Sequence, residues 1–378
     1  MKILINAIPL LSLVTGIGKY TYYVSKFLKE IDINNNYTYF YGYYSKEIKE
    51  VKNLTYRKTF HKIKDFMRLT PASSFFRKIK SYYASLRKIN FDIYFEPNFI
   101  FIDAIKSKKR VVSVHDFSFD LYPEWHPEDR VLYFKENFLK SIKKADRIIL
   151  PSNFIFDEAV NKYKFDKSAL RVVYLGVDND VFREYSSDLV KKVSEKYQLP
   201  ENYILFVGSI EPRKNLKNLI LAYDLLPDYL KKDFNLVLTG FSGWKNKEIM
   251  AFLDKNRDKI IYTGYVSENE LALIYNKASV FVFPSFYEGF GLPPLEAMAC
   301  GCPVIVSDRA SLPEVCSDSA LYVNPHEPED IADKIMKVLE NQELRENLRK
   351  KGIQRSQSFK WENTAKDILN IFEEVAID

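Results

Sequence analysis

The sequence predicts an α/β protein: two Rossmann-like, doubly wound parallel-sheet domains in series, facing a central cleft. Three observations predict it. Short β-branched or aromatic runs alternate with helical patterns along the whole chain. A turn-rich stretch without periodicity, Tyr174-Leu-Gly-Val-Asp-Asn-Asp-Val-Phe182, interrupts that rhythm, which then starts again. The conspicuous Gly, Pro and charged motifs follow predicted strands, and sheets of this kind bind ligands at the carboxyl ends of their strands. With 378 residues and 47% hydrophobic content, the chain has material for two ordinary cores. The domains are expected over 1–178 and 179–357, with an amphipathic helix over 358–378 returning to the first.

Residues 2–6 are a short aliphatic run. The stretch 1–11 lacks a basic region followed by a small-residue cleavage site, so it reads as a first strand and its loop, not a signal peptide. Residues 37–41, 110–114, 147–150 and 171–174 follow as strands, separated by helical patterns over 19–31, 73–89, 130–143 and 153–163. After the link, strands are expected over 203–207, 234–238, 260–262, 279–283, 303–306 and 320–323. Helices are expected over 215–226, 267–276, 292–299 and 329–340. A β-then-α order of this kind signals a parallel sheet covered on both faces.

Charged residues make up 28% and aromatics 15%, which excludes a disordered or fibrous chain. Cys300, Cys302 and Cys316 are too few, and odd in number, for a disulfide framework. No second Cys/His pair completes a four-ligand metal site with Cys300 and Cys302, so buried thiols in a reducing cytoplasm are expected. No apolar run approaches the roughly 20 residues of a membrane-spanning helix. The net charge of +6 is uneven: residues 1–185 hold 32 Lys and Arg against 21 Asp and Glu, and the rest 24 against 29. Residues 57–88, from Arg57 to Lys88, carry ten basic side chains and one acid, Asp65, interleaved with aromatics. That pattern fits a solvated helix with its core stripe, or docking to an anionic membrane surface at the cytoplasmic face. No nucleic-acid partner is expected, because the aromatics lie at helix-core spacing and no RNA motif appears.

Four motifs carry chemistry. The strongest is Phe283-Pro-Ser-Phe-Tyr-Glu-Gly-Phe-Gly-Leu-Pro-Pro-Leu-Glu296. A buried strand ends before Pro284, and a helix starts near Pro293 or Pro294, where proline suits the first turn. Free N–H groups of Phe290, Gly291 and Leu292 could bind sugar or phosphate oxygens at the positive helix end. Glu288 and Glu296 could both accept hydroxyls of the same ligand. The second motif, Gly208-Ser-Ile-Glu-Pro-Arg-Lys-Asn215, places Arg213 and Lys214 at a strand's carboxyl end, suited to a pyrophosphate. Alone, an Arg-Lys pair is commonly an exposed basic turn. The third is Thr15-Gly-Ile-Gly-Lys19, where Gly16 and Gly18 open a helix and permit close backbone approach. The fourth, Val111-Val-Ser-Val-His-Asp116, brings His115 and Asp116 to a strand's end.

Together these segments resemble the family 4 retaining glycosyltransferases, which have the GT-B fold, and are most like bacterial mannosyltransferases of surface-polysaccharide assembly. The resemblance spans nearly the whole chain and is densest over 208–303. It implies that Glu288 binds hydroxyls of the donor sugar beside the loop amides of Phe290, Gly291 and Leu292, and that Glu296 binds the ribose. It also implies that Gly208, Arg213 and Lys214 form the diphosphate element, with Glu211 as its neighbour. Gly16 and Gly18 would lie near the donor phosphate, His115 near the sugar or acceptor, and the backbone of Val266 beside the base. Ser267 and Glu270 also form a capping-box pattern there. Asp116 and Ser285 are further site candidates, while Pro151-Ser-Asn-Phe154 reads only as a helix start.

The implied reaction moves a hexose, with mannose from GDP-mannose favoured, from a nucleotide-sugar to a glycan or lipid-linked acceptor. No metal and no other cofactor is expected. Arg213, Lys214, Glu288 and His115 would serve catalysis. A nucleotide-sugar epimerase, a glycan phosphorylase or a non-catalytic nucleotide-sugar-binding protein of the same fold remain alternatives.

Overall fold

The computed structural model describes residues 1–11, 16–49, 89–256 and 259–377. The first half builds a sheet from β1 (Lys2–Asn6), β2 (Asn36–Phe40), β3 (Tyr44–Ser45), β4 (Phe91–Glu96), β5 (Ser107–Ser113), β6 (Arg147–Leu150) and β7 (Leu170–Val172). Their spatial order is β3-β2-β1-β4-β5-β6-β7. All pairs are parallel except the short β3, which turns back on β2. The second half builds β8 (Tyr203–Val207), β9 (Asn235–Thr239), β10 (Ile260–Gly264), β11 (Val280–Phe283), β12 (Val304–Ser307) and β13 (Leu321–Val323). Their order is β10-β9-β8-β11-β12-β13, parallel throughout. Every side chain of β8 and β11 is buried, as expected for strands covered on both faces.

Chain order reverses between β1 and β4 in one sheet and between β8 and β11 in the other. Loops leaving neighbouring strands at such a point diverge and open a crevice. The motifs of the first and second halves therefore meet there. The helix Gly16–Ile31 leaves β1 with Tyr20, Tyr23, Val24 and Leu28 on its buried stripe.

The last helix, Trp361–Ile377, packs on the Gly16–Ile31 helix of the first half. The Trp361 ring stacks on Tyr23 at 5.1 Å and 9°. Phe372 meets Phe95 edge-on at 5.4 Å, and Glu374 receives Arg147 at 2.9 Å together with Arg171. The link between the halves runs beside the start of this helix: Val177 N–H donates to the Phe359 carbonyl at 3.1 Å. A Cβ on Gly176 would lie 2.2 Å from the Trp361 nitrogen, so only glycine fits this crossing.

Several elements differ from the sequence reading. β4 is absent from that reading, although it lies at the centre of its sheet. Its acids, Asp92 and Glu96, break the strand pattern, yet Glu96 is fully buried. Glu96 accepts from Asn6 Nδ2 at both oxygens, at 2.9 and 2.8 Å, from Tyr94 Oη at 2.7 Å and from Asn98 N–H at 3.1 Å. The helices Ser187–Tyr197, Asp228–Asp233, Lys247–Lys255, Leu312–Cys316 and Gln342–Ser356 were also not anticipated. The last has almost no apolar stripe, which removes the periodicity that betrays a helix. The strand expected at 110–114 starts earlier, at Ser107, and that expected at 171–174 is Leu170–Val172. The helix expected over 73–89 and the basic stretch 57–88 lie outside the described residues. All three cysteines are free and buried. Among the described residues, no helix is long and apolar enough to cross a membrane.

Candidate functional site

Glu288 lies between β11 and the Leu292–Ala299 helix, where the loop turns back across the end of β8. Its carboxylate accepts from Arg213 Nη1 at 2.7 Å and Lys214 Nζ at 2.6 Å. Burial would raise its pKa, but the Arg213 and Lys214 charges hold it at about 2. Burial, followed by repulsion from Arg213, lowers the Lys214 pKa. Arg213 is a three-way tie: Nη1 also donates to the Tyr287 carbonyl at 2.7 Å, and Nη2 reaches Glu211 at 3.1 Å. Asn215 explains the last letter of its motif. In left-handed conformation (φ 58°), its amide donates to the carbonyls of Pro284 at 2.9 Å and Pro325 at 2.7 Å, pinning the β8 loop to the end of β11.

The helix start is built by glycine and proline. Gly291 has φ +126°, and a Cβ there would meet Leu312 at 2.9 Å. Pro293 and Pro294 occupy the first turn. Among the described residues, the N–H groups of Phe290, Gly291 and Leu292 have no acceptor, leaving donors at the positive helix end. Ser285 is fully buried, its carbonyl taken by Ser307 Oγ at 2.6 Å and its own hydroxyl unpartnered. Gly208 follows β8, where a Cβ would crowd the Phe206 ring at 3.2 Å.

Glu296 sits one turn into the same helix and is paired with a residue sequence reasoning overlooked. Lys19, beside Gly18 on the first helix, bonds Glu296 and lies 3.1 Å from Glu268. Burial opposes the Lys19 charge, but the two carboxylates raise its pKa overall. Its sequence signal is adjacency to the Gly-Ile-Gly motif, directly after Gly18. Gly16 is exposed, with open space where a Cβ would stand, and Gly18 is buried. Val266 is buried ahead of the Glu268–Lys277 helix, where Ser267 and Glu270 complete the capping box.

From the first half, His115 Nε2 faces the Pro97 carbonyl at 2.8 Å. A carbonyl only accepts, so Nε2 carries the proton and Nδ1 keeps its lone pair. Burial lowers the His115 pKa, leaving the ring neutral near pH 7. Asp116 accepts from Ser118 N–H at 2.9 Å and Ser118 Oγ at 2.7 Å, and its charge acts on Arg213.

The Glu288 loop also forms the seam between the halves. A Cβ on Gly289 would lie 1.8 Å from the His115 carbonyl oxygen. Ser152 Oγ donates to the Gly289 carbonyl at 2.9 Å, so Ser152 does more than start the helix after β6, correcting the sequence reading. Tyr287 enters the first half, bonding Glu158 and accepting from Phe117 N–H at 3.3 Å. Glu314 accepts from Asn153 N–H at 2.8 Å and Phe154 N–H at 3.0 Å, closing the far side. No short-range sequence signal points to Tyr287, because its partners lie more than 100 residues away.

Comparison with known proteins agrees with this architecture. Residues 14–181 match the family model Glycosyltransferase Family 4, and residues 190–355 match Glycosyl transferases group 1. The chain is 34% identical to O-antigen chain mannosyltransferase B of Escherichia coli over 292 residues, 76% of each chain. It is 33% identical to O-antigen chain mannosyltransferase RfbU of Salmonella typhimurium over 58% of this chain and 57% of that one. Among solved structures, HepE of Anabaena, in complex with UDP and glucose, superposes with a TM-score of 0.72 at 15% identity, over 99% of this chain and 100% of that one. Sucrose-phosphate synthase from Thermosynechococcus elongatus gives the same TM-score at 19% identity, covering 99% and 98%.

Proposed function

Since the chain belongs to the family 4, group 1 glycosyltransferases, which have the GT-B fold, we propose that it is a retaining hexosyltransferase of surface-polysaccharide or glycolipid assembly. It moves mannose from GDP-mannose to a glycan or lipid-linked acceptor. The mannosyltransferase relatives support the sugar. The observation that carries the reading is Glu288 held between Arg213 and Lys214 where the β8 and β11 loops meet.

In this reading the donor enters between the paired charges. Its sugar hydroxyls donate to Glu288, and its diphosphate takes Arg213, Lys214 and the open N–H groups of Phe290, Gly291 and Leu292. The ribose donates to Glu296, which Lys19 keeps charge-balanced. As the bond from the anomeric carbon to the phosphate oxygen breaks, negative charge grows on the diphosphate. Fixed cations stabilise that charge without reorganising. The acceptor hydroxyl attacks from the same face and passes its proton to the leaving-phosphate oxygen, so no enzyme nucleophile is required. His115, neutral and with Nδ1 as an acceptor, orients a sugar hydroxyl. No metal is required, because side chains and helix end supply the positive charge. The basic stretch 57–88 brings the enzyme to an anionic membrane surface at the cytoplasmic face. Flotation with vesicles lacking and containing anionic lipid tests this, and equal sedimentation rejects it.

A thermal-shift panel of nucleotide-sugars tests the donor site, since a bound donor raises stability by mass action. GDP-mannose should give the largest shift. Absent shifts with both GDP and UDP would reject the site, and a larger UDP-sugar shift would reject the base. Arg213→Ala should lower turnover by about 10²–10³-fold, the range for losing one preorganised donor to developing charge. Unchanged turnover would remove the charge-stabilisation step.

A further inference from the structure

On the side of the Arg213 guanidinium away from Glu288, two buried polar atoms have no hydrogen-bond partner among the described residues: His126 Nδ1 and Glu211 Oε2. His126 is 7% exposed and Glu211 2%. Arg213 Nη2 reaches the other Glu211 oxygen at 3.1 Å, and the charges of Arg213, Glu211, Asp116 and Arg130 all act on the His126 ring. The His126 proton can be placed. Ser118 Oγ donates its hydrogen to Asp116, so at 2.9 Å it accepts from His126 Nε2. Nδ1 is then a bare lone pair. Burial lowers the His126 pKa, which keeps the ring neutral. Buried acceptors without donors are rare in folded proteins and mark places where a ligand or water completes the bonding.

The surroundings indicate which ligand. Tyr122 stacks on Trp125 at 4.1 Å, Trp125 lies nearly parallel to Phe286 at 5.8 Å, and Trp244 faces His126 at 6.0 Å. All four aromatics are half-buried. Half-buried aromatic surface beside unpartnered acceptors suits a pyranose, whose C–H groups pack on apolar surface while its hydroxyls donate. An anion is excluded by the two acceptors. Tyr122, Trp125 and His126 come from the first half, while Glu211, Trp244 and Phe286 come from the second. The corner is thus completed only when the halves meet.

We propose that this corner is a saccharide subsite for the acceptor glycan, in which His126 Nδ1 and Glu211 Oε2 each take a sugar hydroxyl. The assignment to the acceptor rests on the transferase reading above, which gives Glu288 to the donor sugar. Beside this corner the two halves are tied by Trp244 Nε1 donating to the Trp125 carbonyl at 2.6 Å and Lys245 Nζ to the Glu124 carbonyl at 2.7 Å. These two bonds part to admit the glycan.

Saturation-transfer NMR titration of methyl α-mannoside and methyl N-acetylglucosaminide into the full chain tests the subsite. His126→Gln keeps a donor for Ser118 and removes the Nδ1 acceptor, and should weaken glycoside binding about tenfold, the scale of one hydrogen bond. Trp125→Leu leaves both acceptors in place and should weaken it similarly. It carries the test alone if His126→Gln melts early. Nucleotide-sugar thermal shifts should match wild type in both variants. The proposal is overturned if neither glycoside binds wild type, or if both variants bind within twofold of it. It is equally overturned if the variants lose the nucleotide-sugar shift but keep the glycoside, since the corner would then serve the donor. Failure of the transferase reading registers separately, as no nucleotide-sugar shift in wild type.

Discussion

Gly289→Ala isolates the contribution of the seam to turnover. The backbone of Gly289 is outside the left-handed region, so alanine is tolerated by the loop itself; the obstacle is the other half of the molecule. The added Cβ would stand 1.8 Å from the His115 carbonyl oxygen, 2.9 Å from its carbon and 3.2 Å from the Asp116 Cβ. Ordinary contact needs about 3.4 Å, so the halves must separate by ~1.5 Å at this point. Ser152, Tyr287 and His115 would shift relative to Glu288 by a similar distance. A displacement of about 1 Å in a reacting geometry costs on the order of 10²-fold. We therefore expect kcat/KM to fall about 100-fold, equivalent to ~2.7 kcal/mol of transition-state stabilisation. The groups proposed to hold the donor, Arg213, Lys214, Glu288 and Glu296, all belong to the second half, so nucleotide-sugar affinity should hold within about threefold, less than the ~1.4 kcal/mol that a tenfold change represents. Nucleoside diphosphate release under steady state, with donor titration by calorimetry, separates the two quantities. Retention of kcat/KM within threefold, or a donor affinity that collapses with turnover, would refute the argument that the seam acts on chemistry and not on donor binding.

Lys19→Met should destabilise the protein by about 3 kcal/mol in chemical denaturation, because Glu296 would be left buried without its cation; a loss under 1 kcal/mol would show that solvent or a neighbour replaces it. Glu96→Gln should alter the pH dependence of melting. Burial raises the Glu96 pKa to about 8, so its contribution is full below about pH 4.5, declines as pH rises through 8 and is flat above. Wild-type melting temperature should therefore fall across pH 5–8 more steeply than that of the variant, and parallel curves would reject the shift. Trp361→Ala should cost about 3–5 kcal/mol of unfolding free energy, since a 2%-exposed ring stacked on Tyr23 leaves a cavity; a loss below 1 kcal/mol would mean that the last helix is not anchored there.

Much of this molecule follows from local pattern. The strands 147–150 and 203–207 and the helix 292–299 can be read off to the residue, because apolar runs and Gly/Pro boundaries act over a few positions. The Glu288-to-Glu296 and Arg213-Lys214 segments are legible as loops between a strand and a helix for the same reason: the letters that form them are contiguous. Tertiary structure alone decided the rest. Glu96 interrupts a strand pattern until Asn6, 90 residues away, supplies its donors. Tyr287 is one more aromatic until Glu158 and Phe117 N–H receive it, and Gly289 one more turn glycine until the His115 carbonyl closes on it. Lys19 and Glu296 are ordinary charges 277 residues apart until closure buries them together. Spacing along the chain encodes periodicity and turns, which are short-range. The pairing of buried charges and the fit of one half against the other depend on long-range contacts, and only the folded chain brings those residues within bonding distance.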